Sequence, residues 1–154
     1  MEIKSLQIKS TFSLDKKLTE KLESFQQLIR ELNKKDIPVE MANSFSKDIE
    51  EINQFNGSAK DTLRLLRKKQ SHILTRLEKE LKLVSINHYR NQWLSVGMAA
   101  FGLPIGVAFG LSMGNLGLLG IGLPIGMGIG VAVGASMDKK AKEAGKQLDV
   151  ELKY

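Results

Sequence analysis

The chain has 154 residues, with 23 Lys and Arg against 17 Asp and Glu, and no cysteine. Lack of cysteine excludes a disulfide scaffold, thiolate metal sites and a cysteine nucleophile. The charge is too unevenly spread for one soluble core: positions 91 to 137 carry no ionisable side chain and hold 12 of the 14 glycines, the compositional mark of membrane-spanning structure.

Residues 1 to 12 alternate only weakly and read as extended or unstructured. The first 30 residues have no apolar stretch between a basic start and a small-residue cleavage site, so the chain is expected to begin in the cytosol. From Ser13 onward, Leu18, Leu22, Phe25, Ile29 and Leu32 follow the 4-3-4-3 spacing of a packed stripe. That predicts a helix over Leu14 to Lys35, capped by Ser13. Asp36-Ile37-Pro38 then signals a turn, because proline disfavours helical geometry in the residue before it and suits a helix start.

A second helix is expected from Val39. Ala42, Phe45, Ile49, Ile52, Asn56, Ala59, Leu63, Leu66, Gln70, Ile73, Leu77, Glu80 and Val84 keep one heptad register. Either one helix of about 50 residues or two helices meeting at Asn56-Gly57-Ser58 fits this pattern, and both make a helical hairpin or coiled coil. Heptad leucines ordinarily mark packing against another helix rather than a ligand site. The polar Asn56 and Gln70 either specify register or lie on a solvated face.

Residues 60 to 90 carry nine basic side chains (Lys60, Arg64, Arg67, Lys68, Lys69, Arg76, Lys79, Lys82, Arg90) against Asp61, Glu78 and Glu80. Anionic lipid, nucleic acid and a solvated or partner-facing surface compete as explanations. If the helix ran straight into a bilayer, Arg67 would lie about 39 Å before Trp93, well beyond a Debye length of about 8 Å. No aromatic lies between Lys60 and Lys82 to stack on bases, which argues against nucleic acid. A solvated or partner-facing surface is the preferred reading.

The uncharged run divides at Asn115, its one strongly polar residue deep inside, set among glycines that suit a tight turn. Trp93 to Met113 and Gly117 to Met137 are each 21 residues, enough to cross a bilayer core about 30 Å thick. The halves repeat: a shift of 20 residues places Gly102, Gly106, Gly110 and Gly114 on Gly122, Gly126, Gly130 and Gly134. Glycines every fourth residue make a groove in which backbones approach closely, the main source of helix association where lipid supplies no hydrophobic drive. Pro104 and Pro124 sit inside the two halves and remove the bonds to Ala100 and Gly120. A kink or local irregularity is expected at each, static rather than a gating hinge.

The segment GLPIGVAFGLSMGNLGLLGIGLPIGMGIGVAVGASMDKK resembles the small bacterial glycine-zipper membrane proteins, in which two Gly-rich spans flank a short Asn-containing turn before a basic tail. The resemblance covers residues 96 to 146, about a third of the chain, and implies a tightly packed two-span segment without a settled activity. Charge sets the expected orientation. Arg90 precedes the first span and Lys139, Lys140, Lys142 and Lys146 follow the second, while the turn has no charge. Both termini are then cytoplasmic and Asn115 external, with Tyr89, Arg90, Trp93, Lys139 and Lys140 as interface anchors in a cell (inner) membrane.

His72 and His88 have no ligand-spaced donors beside them. The glycine-rich run has no phosphate-binding signature, and no intramembrane carboxylate suggests proton transport. No catalytic residue, cofactor or metal is expected. The sequence therefore predicts an all-α chain: a cytosolic helical domain over 1–90, a transmembrane hairpin over 91–137 and a basic cytosolic tail over 138–154. The expected function is homo-oligomeric assembly in the bilayer, as a pore-forming or membrane-perturbing protein. The alternative is a membrane-anchored adaptor whose helices recruit a cytosolic protein partner.

Overall fold

The computed structural model describes residues 3–7 and 16–152, the side chain of Leu116 excepted. The described chain is mostly helical. It runs α1 (Lys16–Asn33), α2 (Val39–Gln54), α3 (Ala59–Arg76) with a π-helical turn (Leu77–Leu81), β1 (Val84–Ile86), α4 (His88–Gly97), a second π-helical turn (Met98–Gly102), α5 (Leu103–Ser112), a 3-10 turn (Leu116–Leu118), α6 (Leu119–Glu143) and β2 (Gln147–Glu151). These elements form two compact units, Met1–Val84 with Leu148–Tyr154, and Ser85–Gln147.

In the first unit the predicted stripe of α1 is buried throughout, from Leu18 to Leu32, and packs with Met41, Phe45, Ile49 and Ile52 of α2 and Leu66, Ile73 and Leu77 of α3 and its extension. The expected cap Ser13 and the start of that helix at Leu14 lie outside the described residues. Of the two arrangements left open at Gly57, the structure adopts the break. Phe55 is extended, and Ser58 caps α3 by accepting the Asp61 N–H while its hydroxyl donates to Asp61 Oδ2 at 2.6 Å. Because Ser58 satisfies an otherwise orphaned donor, a new helix starts there at little cost. Of the three polar heptad positions, Asn56 and Glu80 are exposed and Gln70 is buried, with its Nε2 unpartnered.

The helix does not run on to Trp93. Lys82 and Asn87, both with left-handed backbone (φ 58° and 59°), bracket β1 and interrupt it, so the straight-helix distance from Arg67 does not apply. Residues 138–154, expected to be a basic tail, are corrected too. α6 continues to Glu143, and a glycine-terminated end follows in which Gly145 (φ 69°) lets Lys146 N–H reach Ala141 O at 2.8 Å. The chain then forms β2, which pairs with β1, and buries Leu148, Val150 and Leu152 in the core of the first unit. Alternating apolar residues in LDVEL carry that strand.

Residues 3–7, read as a weakly patterned start, are also part of this core. Ile3 and Leu6 are buried in it, and the Asn33 side chain holds the main chain of Ile3.

Candidate functional site

The second unit is a helical hairpin closed by glycine. Along α6, Gly122, Gly126, Gly130, Gly134 and Asp138 recur every fourth residue and are buried. Gly97, Gly102, Gly106 and Gly110 are the buried positions on the first helical rod. A Cβ at Gly126 would stand 2.5 Å from Gly102 Cα and Gly97 O, one at Gly122 2.6 Å from Gly106 Cα, and one at Gly134 2.5 Å from Arg90 Cα and Tyr89 O. All these neighbours are backbone atoms, so the rods touch main chain to main chain and no side chain fits between them.

The sequence repeat is not a structural repeat. Gly114, expected in the packing stripe, is instead the left-handed residue (φ 63°) that ends α5, with open space around its Cβ position. Asn115 N–H bonds Gly110 O at 3.0 Å and Gly114 N–H bonds Leu111 O at 3.3 Å, the paired closure of a glycine-terminated helix. The Asn115 side chain then accepts Gly117 N–H at 2.9 Å and tightens the expected turn.

Gly97 takes the vacated place in the stripe, although it lies five residues before Gly102. In a regular α-helix that step would swing it about 140° off the face. The π-helical turn Met98–Gly102 absorbs the extra residue: Leu103 N–H bonds Met98 O, five residues back. Pro104, which has no N–H to give, is the second residue of α5, one residue past this turn, so the irregularity expected there is a π turn. At Pro124, by contrast, α6 runs through unbroken.

The large apolar side chains of the hairpin point away from the glycine seam. Phe101, Leu103, Val107, Phe109, Ile121, Leu123, Ile125, Met127, Ile129 and Val133 are exposed, and Leu111 and Met113 reach 70% and 68%. The helical stretches His88–Ser112 and Leu119–Glu143, each of 25 residues, are long and apolar enough to cross a membrane, with mean hydropathy 1.8 and 1.7 in their most apolar windows.

The stripe ends on Asp138, which is 7% exposed. Its carboxylate accepts Tyr89 N–H at 3.0 Å and Arg90 N–H at 2.9 Å, the opening amides of α4. The residue before α4, Asn87, makes no side-chain cap, so the opposite helix supplies one. A carboxylate at a helix N-terminus satisfies orphaned donors and complements the helix dipole. Tyr89 and Trp93 are half-buried beside this end, whereas Arg90, Lys139 and Lys140 are exposed.

In the first unit, the basic residues of α3 separate. Lys60, Arg64, Arg67 and Lys68 are exposed, but Lys69 turns toward α2, where it pairs with Asp48 at 2.9 Å and with Glu51. The other Asp48 oxygen meets His72 Nδ1 at 2.8 Å, and Arg76 donates to Ser44 at 2.9 Å. The hydrogen bonds that the Lys69 ammonium donates to Glu51 and Asp48 hold it above its ordinary pKa of 10.5. A raised folded-state pKa contributes stability that is complete below the unfolded value and fades as pH rises through the folded one. Lys69→Met is therefore expected to destabilise the first unit at pH 7 and to flatten its loss of stability above about pH 10.5, as read by denaturant midpoints across alkaline pH. Lys21 has the opposite sign, since burial and the nearby Arg67 lower its pKa.

Among the described residues, no group of three or more His, Asp or Glu side chains is arranged to hold a metal ion. His88 packs edge-on against Tyr89 with ring centroids 5.0 Å apart. Comparison of the chain with protein-family models, curated proteins and solved structures finds no match. Sequence reasoning missed Gly97, Asp138 and the Asn33 clamp. For Asp138 a signal existed, because it stands four residues after Gly134 on the same helix face.

Proposed function

We propose that the hairpin is embedded in a lipid bilayer and self-associates there, holding the helical unit at the cytoplasmic face of a cell membrane. The observation that carries this reading is the inverted packing: glycine and backbone fill the interior while large apolar side chains face outward. Water penalises such a surface, whereas lipid solvates it. The return of Leu148, Val150 and Leu152 to the core that precedes the hairpin supports both ends lying in one compartment. Exposed Arg90, Lys139, Lys140, Lys142 and Lys146 at those ends support that compartment being the cytoplasm.

Self-association is supported by a second row of small residues. Pro104, Ala108 and Ser112 on α5, and Gly120, Pro124, Gly128, Ala132 and Ser136 on α6, are all exposed. They lie two positions from the buried stripes, about 200° round each helix, and leave a flat outer face for another hairpin. A Cβ at Gly128 meets nothing within 4 Å, so Gly128→Leu with Ala132→Leu is expected to spare the hairpin and weaken self-association by about tenfold or more. Mass in detergent measures this, and ion flux in liposomes tests whether the assembly conducts. A wild-type chain that is monomeric at every concentration would remove the proposal.

The second reading, a membrane-anchored adaptor that recruits a protein partner, is favoured by one observation. The glycine stripes satisfy each other within a single hairpin, so that seam requires no second copy.

A further inference from the structure

The arm Ile3–Gln7 is gripped largely through its main chain. Asn33 of α1 accepts Ile3 N–H at 2.8 Å and donates to Ile3 O at 3.3 Å. Asn53 of α2 accepts Gln7 N–H at 2.9 Å and donates to Ser5 O at 3.2 Å. An amide that bonds both an N–H and a C=O of extended chain does what a neighbouring β-strand does, and it reads main chain whatever the side chains. Specificity comes from the two buried anchors Ile3 and Leu6 and from Lys4, whose ammonium pairs with Glu50 of α2 at 3.0 Å. The α1/α2 groove is thus a built receptor for an extended segment with aliphatic anchors three residues apart and a basic residue after the first.

We infer that in the assembled protein this groove receives the arm of a neighbouring copy, so that exchanged arms link the helical units. The inference rests on the self-association proposed above. The segment that fits the groove belongs to this chain, so each added copy brings both a receptor and its ligand. None of the gripping contacts requires the arm to belong to the same molecule. Only residues 8–15 join it to α1, and eight residues reach at most about 27 Å. Exchange conserves every hydrogen bond and anchor, which makes it a low-cost route to association. Confinement of copies to one membrane raises the effective concentration that favours it.

The chain has no cysteine, so single thiols report cleanly. Full-length Lys4→Cys carrying one tag and Glu50→Cys carrying another are co-reconstituted and treated with a short bismaleimide, because the pair meets through the tips of two long side chains, and the mass of the untreated sample is measured in detergent. A cross-linked dimer bearing both tags is expected, reduced at least tenfold when both chains also carry Asn33→Ala and Asn53→Ala. The double variant Lys4→Cys with Glu50→Cys in one chain should link copy to copy, and a product linked only within single chains overturns the exchange. An oligomeric sample that yields no mixed dimer, or a mixed dimer indifferent to the asparagines, overturns the exchange and leaves self-association standing. A monomeric sample overturns both.

Discussion

Replacing Gly126 with leucine is expected to break the hairpin, at a cost above about 3 kcal/mol. A Cβ there already falls 2.5 Å from Gly102 Cα and Gly97 O. Neither neighbour is the tip of a flexible side chain, so neither can rotate away. The two rods must separate, and separation forfeits the close backbone contact along the whole seam, since Gly122 and Gly130 share it. Gly128→Leu, on the same helix and two residues on, places its side chain in open space and is the matched control. Hydrogen exchange at the Tyr89 and Arg90 amides, which Asp138 holds across the seam at 3.0 and 2.9 Å, should stay slow in the control and quicken in Gly126→Leu. Equal exchange in both would mean that the rods are not held through glycine.

Asp138→Ala is expected to cost about 2 kcal/mol or more, because two charge-assisted hydrogen bonds are lost together and the α4 amides are left without acceptors. Hydrogen exchange reads the effect where it arises. The amides of Tyr89 and Arg90, bonded at 3.0 and 2.9 Å, should exchange about thirtyfold faster or more. The cap also depends on its neighbour in the stripe. A Cβ at Gly134 would stand 2.5 Å from Arg90 Cα and Tyr89 O, so Gly134→Ala moves the same amides away from the carboxylate. The two substitutions together should therefore cost less than the sum of each alone. Strict additivity would show that the glycine and the carboxylate act independently.

Much of this architecture is legible in the residue order, and what is not has identifiable causes. The stripe of α1 and the turn at Asn115 follow from periodicity and turn chemistry, which act over a few residues, whereas the heptad register leaves one helix or a break before Ser58 equally open, and the structure adopts the break. Glycine spacing likewise reveals a packing face. It misassigns the ends of that face, because Gly114 and Gly97 are decided by events outside the repeat. Gly114 is needed in left-handed geometry to end a helix, and Gly97 is brought into line by a π turn beside Pro104. Pro104 and Pro124 stand in the same local motif yet have different consequences, so a missing N–H announces an irregularity without saying how it is relieved. The Asn33 and Asn53 clamps, the Asp138 cap and the return of β2 bring together residues 30 or more apart in the chain. Nothing in a short window marks such pairs.

The first unit's core is assembled from residues on both sides of the hairpin, and this imposes an order on biosynthesis. Leu148, Val150 and Leu152 leave the ribosome only after the whole apolar hairpin has emerged. Until then the helices that precede it lack part of their interior, and the apolar hairpin is synthesised before that interior closes. Translation thus sets the order of folding: a ribosome stalled within α6 would leave the earlier helices incomplete and open to chaperones and proteases.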